Sequence, residues 1–225
     1  MSKFLKLRNI SKVFETSKKL KVIKNISYNF SKGKIYSLMG PSGSGKSTLL
    51  NLISLIDKPS NGSIKFNNHE VNYAEKEDND KFRAKKIGIV YQQNNLLPDF
   101  TSLENIYLAS LSINNDKDVA ISKAKQLLKK IGLSNRADHY PSQLSGGEAQ
   151  RIAIARAIIN DPEIILADEP TGSLDMRTAK VIFNLLKDQK RSDRLIIFAT
   201  HNRFFGNKAD CLLEILDGNI KSSNG

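Results

Sequence analysis

The sequence predicts an α/β fold with a mainly parallel sheet. A short, mostly apolar run at residues 35–39 leads directly into a glycine-rich loop. A second apolar run, at 164–167, ends in two acidic residues. A helix-like segment at 178–187 separates that run from a third apolar run at 195–199. This order of strand, helix and strand is typical of the β-α-β unit of a parallel sheet.

The first part of the chain is predicted to be rich in strands. Alternating apolar positions at residues 5–10 and 23–30 indicate two half-buried strands before the glycine loop. Residues 67–86 form the most polar stretch of the sequence, which predicts a surface excursion that separates subregions and not domains. Another strand is expected at 87–91, immediately after it.

The middle of the chain is predicted to be helical. Residues 120–131 place apolar side chains at helical spacing, and the pattern stops at Gly132. A second apolar segment, 152–159, is interrupted by Arg156. At the end of the chain, Asp-Gly inside the stretch 213–220 predicts a small hairpin.

No repeat, proline-rich linker or low-complexity block divides the 225 residues, so we expect a single domain spanning 1–225. The apolar runs are well short of the roughly 18 residues that span a bilayer, and the first residues lack the apolar stretch of a secretion signal. We therefore expect no transmembrane segment and a cytoplasmic location. The lone Cys211 is interpreted as a buried apolar side chain.

The formal net charge of +12 favours an anionic partner, and it leaves both nucleic acid and the inner face of a membrane open. Lysines occur in pairs along the chain, without a basic stripe interleaved with aromatic residues. A solvated basic surface is the simpler interpretation, and no direct contact with nucleic acid is expected.

Residues 40–48 (GPSGSGKST), the phosphate loop, fit the pattern G-x-x-x-x-G-K-[ST], between a predicted strand and an apolar helix extending to Ile56. A flexible glycine turn is the alternative, but the strand-loop-helix context favours nucleotide binding in a P-loop NTPase core of the RecA-like kind. Lys46 would neutralise the β and γ phosphates, and Ser47 would give its hydroxyl to Mg²⁺. Thr48 would bond the α phosphate. We expect ATP contacts from the whole loop: Gly40, Pro41, Ser42, Gly43, Ser44, Gly45, Lys46, Ser47 and Thr48.

The acidic pair Asp168 and Glu169 follows a predicted buried strand, at the end where parallel sheets bind ligands. Asp168 suits the shell of Mg²⁺, and Glu169 is placed to polarise the attacking water. Capping of the next helix is the alternative, which the phosphate loop upstream disfavours. His201 follows another predicted strand and could contact the γ phosphate, although a lone histidine there is more often structural.

Residues 144–151 (LSGGEAQR) are the most discriminating motif. Ser145, Gly146 and Gly147 at a helix start offer amides and a hydroxyl to an anion, without a lysine. With this motif the sequence resembles the ABC ATPase family over nearly its whole length. In that family this signature segment of one subunit closes over the γ phosphate held by the phosphate loop of the other. The resemblance implies a head-to-tail homodimer with two composite sites for ATP and Mg²⁺.

The resemblance also implies roles for single residues. Gln92, rather than its neighbour Gln93, would link Mg²⁺ to a membrane-embedded permease partner. Phe14 would stack on adenine where the family often has tyrosine, and His201 would hold the γ phosphate. Asp175, in the segment 173–175 that the resemblance includes, would contact the nucleotide. Ala149 and Asn202 depart from the common pattern, and neither change touches phosphate chemistry.

The same resemblance implies an antiparallel β-subdomain and a helical subdomain inserted at roughly 94–160. The stretches 91–106 and 166–175 are similar to the branch containing the ATPases of lipoprotein release, of macrolide and antimicrobial-peptide export, and of cell division. The expected role is to energise lipoprotein release from the cytoplasmic face of the inner membrane. The alternatives are export of another cargo, division signalling without transport, and action on nucleic acid. No appended regulatory domain is expected.

Overall fold

The computed structural model describes residues 3–15, 19–67, 69–113 and 115–223. In chain order the elements are β1 (Lys3–Glu15), β2 (Lys19–Ser31), β3 (Ile35–Met39), α1 (Lys46–Ile53), β4 (Asn61–Phe66), β5 (His69–Glu70), α2 (Lys76–Lys86), β6 (Ile87–Val90), α3 (Ser102–Leu111), α4 (Lys117–Lys130), α5 (Gly146–Ile158), β7 (Ile164–Asp168), α6 (Met176–Lys187), β8 (Leu195–Thr200), α7 (Arg203–Gly206), β9 (Cys211–Leu216) and β10 (Asn219–Ser223). The chain divides into two compact units, Met1–Asp80 with Lys190–Gly225, and Lys81–Gln189.

An antiparallel sheet in the order β2, β1, β4, β5 forms part of the first unit, which confirms the antiparallel subdomain. Its strands do not alternate cleanly. Ile23, Ile26 and Phe30 are the buried apolar residues of β2, at spacings of three and four. The reason is irregular pairing of β1 with β2, where Asn9 and Asn25 adopt positive φ. The two predicted strands are therefore real but longer than the alternating stretches.

The remaining strands of the first unit include three that run parallel, β3, β8 and β9. Strand β3 pairs in parallel with β8 and with β9, and all five residues of β3 are buried. Hydrophobic burial on both faces of a strand is typical of a parallel sheet. Strands β9 and β10 form the predicted hairpin, with Asp217 and Gly218 at φ 47° and 73° in the turn. Cys211 is buried at the start of β9, as expected.

Helix α1 is shorter than the sequence predicts. It ends at Ile53, whereas Leu55 takes a positive φ of 61° and Ile56 is 49% exposed. The prediction that the apolar helix extends to Ile56 was therefore wrong. The chain leaves the helix because the amides of Ile56 and Asp57 both bond the carbonyl of Asn51.

The second unit contains the parallel pair β6 and β7 and the helices α3 to α6. Helices α3, α4 and α5 share one apolar core, built from Ile106, Tyr107, Ala120, Ala124, Leu128, Ile131, Leu133, Ile152, Ala155 and Ile159. Helix α4 begins at Lys117, before the apolar pattern does, because the Asp116 side chain caps it by accepting from the Val119 amide. Within the described ranges, no helix is long and apolar enough to cross a membrane.

Candidate functional site

The phosphate loop lies in the first unit, between β3 and α1. Gly40, Gly43 and Gly45 all have positive φ, of 155°, 78° and 103°. A Cβ on Gly40 would lie 2.3 Å from the Ile215 carbonyl oxygen, so no other residue fits there without movement. The Ser44 hydroxyl is buried and has no hydrogen-bond partner in the described part of the chain. A loop with three glycines at positive φ and an unsatisfied buried donor fits a bound phosphate.

Lys46 is buried at the first position of α1. Its ammonium donates to the carbonyl oxygens of Gly40 and Pro41, at 2.8 and 2.9 Å. No carboxylate among the described residues forms an ion pair with it. A buried ammonium held only by neutral carbonyls attracts an anion strongly. Pro41, Ser42 and Ser47 are exposed, and Thr48 is half-buried.

His201 belongs to the same region of the first unit. It follows β8 directly, and Thr200 is in register with Met39, the last residue of β3. The phosphate loop follows Met39, so the imidazole and the loop emerge from neighbouring strands at the same sheet edge. His201 is exposed. This placement agrees with the prediction that it faces a phosphate, a role that stays a prediction.

Phe14 lies near the end of β1, with 38% of its surface exposed. The Lys12 ammonium sits 5.0 Å from the centre of its ring and is bonded to Asp57 Oδ1, at 2.6 Å. The cation therefore covers part of the aromatic ring, while the ring keeps exposed surface for stacking. Lys12 could not be predicted as part of this site, because its partner Asp57 lies 45 residues away in the chain.

The acidic pair lies in the second unit, at the carboxyl end of β7. Asp168 is the last residue of the strand, and Glu169 is nearly buried with a positive φ of 44°. Such a backbone angle is uncommon outside glycine and is typical of functional positions. The fixed strand end and the unusual turn determine where the Glu169 carboxylate points.

Gln92 lies close to Glu169 within this unit. Val90 of β6 is in register with Ala167 of β7, so both residues follow neighbouring strand ends. A Cβ on Gly172 would lie 3.3 Å from Gln92 Nε2 and 3.5 Å from Glu169 Cβ, which places both side chains beside the same glycine. The structure thus brings Gln92, Asp168 and Glu169 together, and Gln93 is also exposed.

The described residues contain no cluster of three or more histidine, cysteine or acidic side chains that could hold a metal ion. Mg²⁺ in nucleotide sites is commonly held by one or two carboxylates, waters and substrate phosphates. Asp168, Ser47 and Gln92 remain the predicted protein ligands.

The segment 144–151 opens helix α5 in the second unit. The Ser145 hydroxyl accepts from the Glu148 amide, at 3.3 Å, and the Ser145 amide donates to Glu148 Oε2, at 2.8 Å. The Ser145 side chain is also hydrogen-bonded to the Glu148 carboxylate, so its hydroxyl is engaged within this capping box. Arg136 Nε donates to Glu148 Oε1 at 2.9 Å. This hydrogen bond and those from Ser145 hold the pKa of Glu148 at about 2.

A groove of about 400 Å³ runs beside this helix start, within the second unit. The lining residues come from two helix starts: Ser145, Gly146, Gly147, Glu148 and Arg151 of the first, and Ser173, Leu174, Asp175, Arg177, Thr178, Val181 and Ile182 of the second. Asp175 caps α6 by accepting from the amides of Arg177 and Thr178. The structure therefore gives Asp175 a local structural role, and its predicted nucleotide contact stays a prediction.

Residues 91–101 form a loop whose backbone is hydrogen-bonded by side chains of α5 and α3. We call it the clamped loop. Gln150 Nε2 donates to the Tyr91 carbonyl at 3.1 Å. Arg156 donates to the carbonyls of Asn94 and Asn95, at 2.8 and 2.7 Å. The buried Asn105 accepts from the Leu97 amide at 2.7 Å and donates to carbonyls of the same loop.

These clamping residues were missed as functional candidates in the sequence. Arg156 carried a signal, because a charged side chain that interrupts an apolar helix needs a polar partner. Burial lowers the pKa of its guanidinium. Gln150 and Asn105 carried no comparable signal. The clamped loop presents two apolar side chains to solvent, Leu97 at 44% and Phe100 at 38% exposure.

The chain is similar over most of its length to a family model and to several known proteins. A family model described as ABC transporter matches residues 23–172. The lipoprotein-releasing system ATP-binding protein LolD of Rickettsia bellii is 40% identical over 224 residues, which are 99% of each chain. LolD of Ehrlichia canis is 44% identical over 217 residues, 96% of each chain. An uncharacterised ABC transporter ATP-binding protein of Methanocaldococcus jannaschii is 37% identical, over 96% of this chain and 97% of its own.

Solved structures agree at the level of the fold. An ATP-binding cassette described as a dimer in a post-hydrolysis state, bound to ADP and Pi, matches with a TM-score of 0.89. It is 37% identical, and the match covers 98% of this chain and 99% of that one. A bacterial ABC transporter cassette, also described as dimeric, matches with a TM-score of 0.87 at 36% identity, over 98% of this chain and 99% of that one. The predicted α/β fold with a P-loop NTPase core is thereby confirmed.

Proposed function

Because the chain belongs to the ABC transporter family, as an ATP-binding subunit, we propose that it supplies the energy for lipoprotein release from the inner membrane. The observation that carries this proposal is the similarity, over nearly the full chain, to several relatives named as lipoprotein-releasing ATPases. The subunit acts peripherally, at the cytoplasmic face of that membrane.

The chemistry is hydrolysis of ATP to ADP and phosphate. ATP brings the reacting γ phosphate, and Mg²⁺ neutralises charge on its oxygens. Lys46 and the loop amides hold the phosphates, and Ser47 and Asp168 hold the metal. Glu169 orients and polarises the attacking water, and His201 holds the γ phosphate. Phe14 stacks on the base.

The working form is a homodimer. Ser145, Gly146 and Gly147 of one subunit meet the γ phosphate held by the phosphate loop of the other, and Asp175 lies next to them in the groove. The exposed position of Ser145 and Gly146 supports this role, because a lone subunit leaves these donors open to solvent.

The clamped loop is proposed as the contact with the permease. Its exposed Leu97 and Phe100 offer an apolar surface, and its backbone is already held in place by Arg156 and Asn105. A preordered loop loses little conformational entropy when a partner binds, so it suits a docking surface.

Co-purification of the intact membrane complex tests this function. The full chain, tagged and extracted from native membranes in mild detergent, is expected to bring down a permease that binds lipoprotein. Recovery of a division protein would favour the signalling alternative, and recovery of a permease that binds macrolides or peptides would favour another export cargo. Recovery of ribosomes or DNA as the main partner would contradict a role at the membrane.

A matched pair of variants tests the docking surface. Changing Leu97 and Phe100 to Glu is expected to remove the permease from the pull-down, with ATP binding retained. Val119→Glu is the control, because Val119 is an apolar residue of similar exposure, on α4. Retention of the permease by the loop variant would contradict the proposed contact.

A further inference from the structure

Thr178 touches two of the segments that the proposed dimer uses. It lies in the first turn of α6 and lines the groove beside the start of α5. Its methyl group packs against Gly147, because a Cβ built there would lie 2.4 Å from Thr178 Cγ2. Its hydroxyl donates to Asp175 Oδ2, at 2.6 Å. One side chain thus bridges the signature segment and the segment 173–175.

The side chain has little freedom to move. Threonine is β-branched, so its rotamer is restricted by the helix. Rotation that took the methyl away from Gly147 would also carry the hydroxyl away from Asp175, whose carboxylate is already bonded to the Arg177 and Thr178 amides. The neighbouring Gly146 is different, because a Cβ there would only make an ordinary contact of 3.5 Å with Leu174.

We propose that Thr178 is a positioning residue for hydrolysis, which fixes the signature segment at a set distance from the segment 173–175 of the same subunit. The proposal rests on the proposed function, in which both segments meet the nucleotide of the partner. Gly147 has no positive φ that would require glycine. The requirement for glycine there comes from the Thr178 methyl group alone.

The experiment is a rescue. Gly147→Ala adds the methyl that collides with Thr178, whereas alanine itself is favourable in a helix. We expect this variant to retain ATP binding by the monomer and to lose about tenfold or more in kcat, as a shift of roughly 1.4 kcal/mol in the barrier would give. Thr178→Ser removes the colliding methyl and keeps the hydroxyl for Asp175. The double variant Gly147→Ala with Thr178→Ser is expected to recover most of kcat.

Thr178→Val is the matched control for that rescue. Valine keeps a branched methyl and loses the hydroxyl, so Gly147→Ala combined with Thr178→Val is expected to stay impaired. ATP-dependent dimer formation is measured by size exclusion in a Glu169→Gln background. It should be reduced by Gly147→Ala, recovered when Thr178→Ser is added, and stay reduced when Thr178→Val is added. Thermal unfolding of each variant separates loss of positioning from loss of folding.

The outcomes separate the two proposals. If the unaltered chain hydrolyses ATP and dimerises, yet Thr178→Ser fails to restore the kcat lost in Gly147→Ala, the positioning role of Thr178 is overturned. Equal rescue by valine would overturn it as well. If the unaltered chain does not hydrolyse ATP and the Glu169→Gln variant with Gly147 and Thr178 intact does not dimerise, the proposed function fails, and the role of Thr178 fails with it.

Discussion

At the scale of single residues, the buried charge of Lys46 is the feature that most requires an anionic ligand. Its ammonium is buried against two carbonyl oxygens, with no carboxylate partner among the described residues. Carbonyl oxygens compensate only part of the cost of burying a charge. A phosphate would replace them with full negative charge, so much of the affinity of the loop depends on this side chain.

Lys46→Ala is therefore expected to abolish tight ATP binding. Loss of one charged hydrogen-bonding group costs about 1.5–3 kcal/mol, so the dissociation constant should rise at least about tenfold. Titration with a fluorescent ATP analogue measures it. Lys123→Ala, on the exposed face of α4, is the control and should leave affinity unchanged. Unchanged affinity in the Lys46 variant would remove it from the phosphate site.

Glu169→Gln should separate binding from hydrolysis. The amide keeps the size of the carboxylate but cannot polarise the attacking water in the same way. We expect ATP binding to persist, turnover to be lost, and an ATP-bound dimer to accumulate on size exclusion. Rapid turnover without a dimer would show that Glu169 is not the base.

At the scale of elements, helix α5 connects two segments that are distant in the sequence. Its first turn carries Ser145 and Glu148, and its later residues Gln150 and Arg156 hold the clamped loop. The Glu148 carboxylate, bonded to Arg136 and to the Ser145 amide, fastens the start of this helix. Part of the stability of the helix start therefore depends on one ionised carboxylate.

The ionisation of Glu148 predicts a pH dependence of stability. Its folded pKa is about 2, below the ordinary value of 4.5. A lowered pKa contributes stability that is fully present above the ordinary value and is lost as the pH falls toward the folded value. The free energy of unfolding should therefore drop more steeply between about pH 4.5 and 2 in the unaltered chain than in Glu148→Gln. Urea unfolding across this range measures the difference.

Glu77→Gln, on the exposed surface of α2, is the comparison for that series. Its stability profile should parallel that of the unaltered chain. If the profile of Glu148→Gln were also parallel, the ionisation of Glu148 would not contribute to the pH dependence of stability.

Elements were predicted well where the signal is local. Strand β3 begins and ends where its apolar run does, and the phosphate loop follows at once. Predicted helix boundaries differed from the observed ones where a hydrogen bond with the backbone decides them. Examples are Asn51 at the end of α1 and Asp116 at the start of α4. The hydrogen bonds of Arg156 to the clamped loop could not be predicted for the same reason, since its partners lie 61 and 62 residues earlier in the chain.

At the scale of the whole molecule, the proposed function requires a second copy of the chain. Ser145→Arg places a large cation where the phosphate of the partner should arrive, so we expect ATP binding by the monomer to be nearly intact and ATP-dependent dimerisation to be blocked. Equilibrium titration and size exclusion measure the two properties separately. Loss of monomer affinity would contradict a role for this segment across the dimer.

The construction of the clamped loop affects how such a subunit can change during evolution. Within the described residues, the hydrogen bonds that Gln150, Arg156 and Asn105 make to the loop all go to its main chain. None of these hydrogen bonds involves the side chains of Leu97 and Phe100, which are 44% and 38% exposed. Substitutions there can accumulate without a folding defect, so a lineage could exchange one membrane partner for another while its ATP chemistry remains untouched.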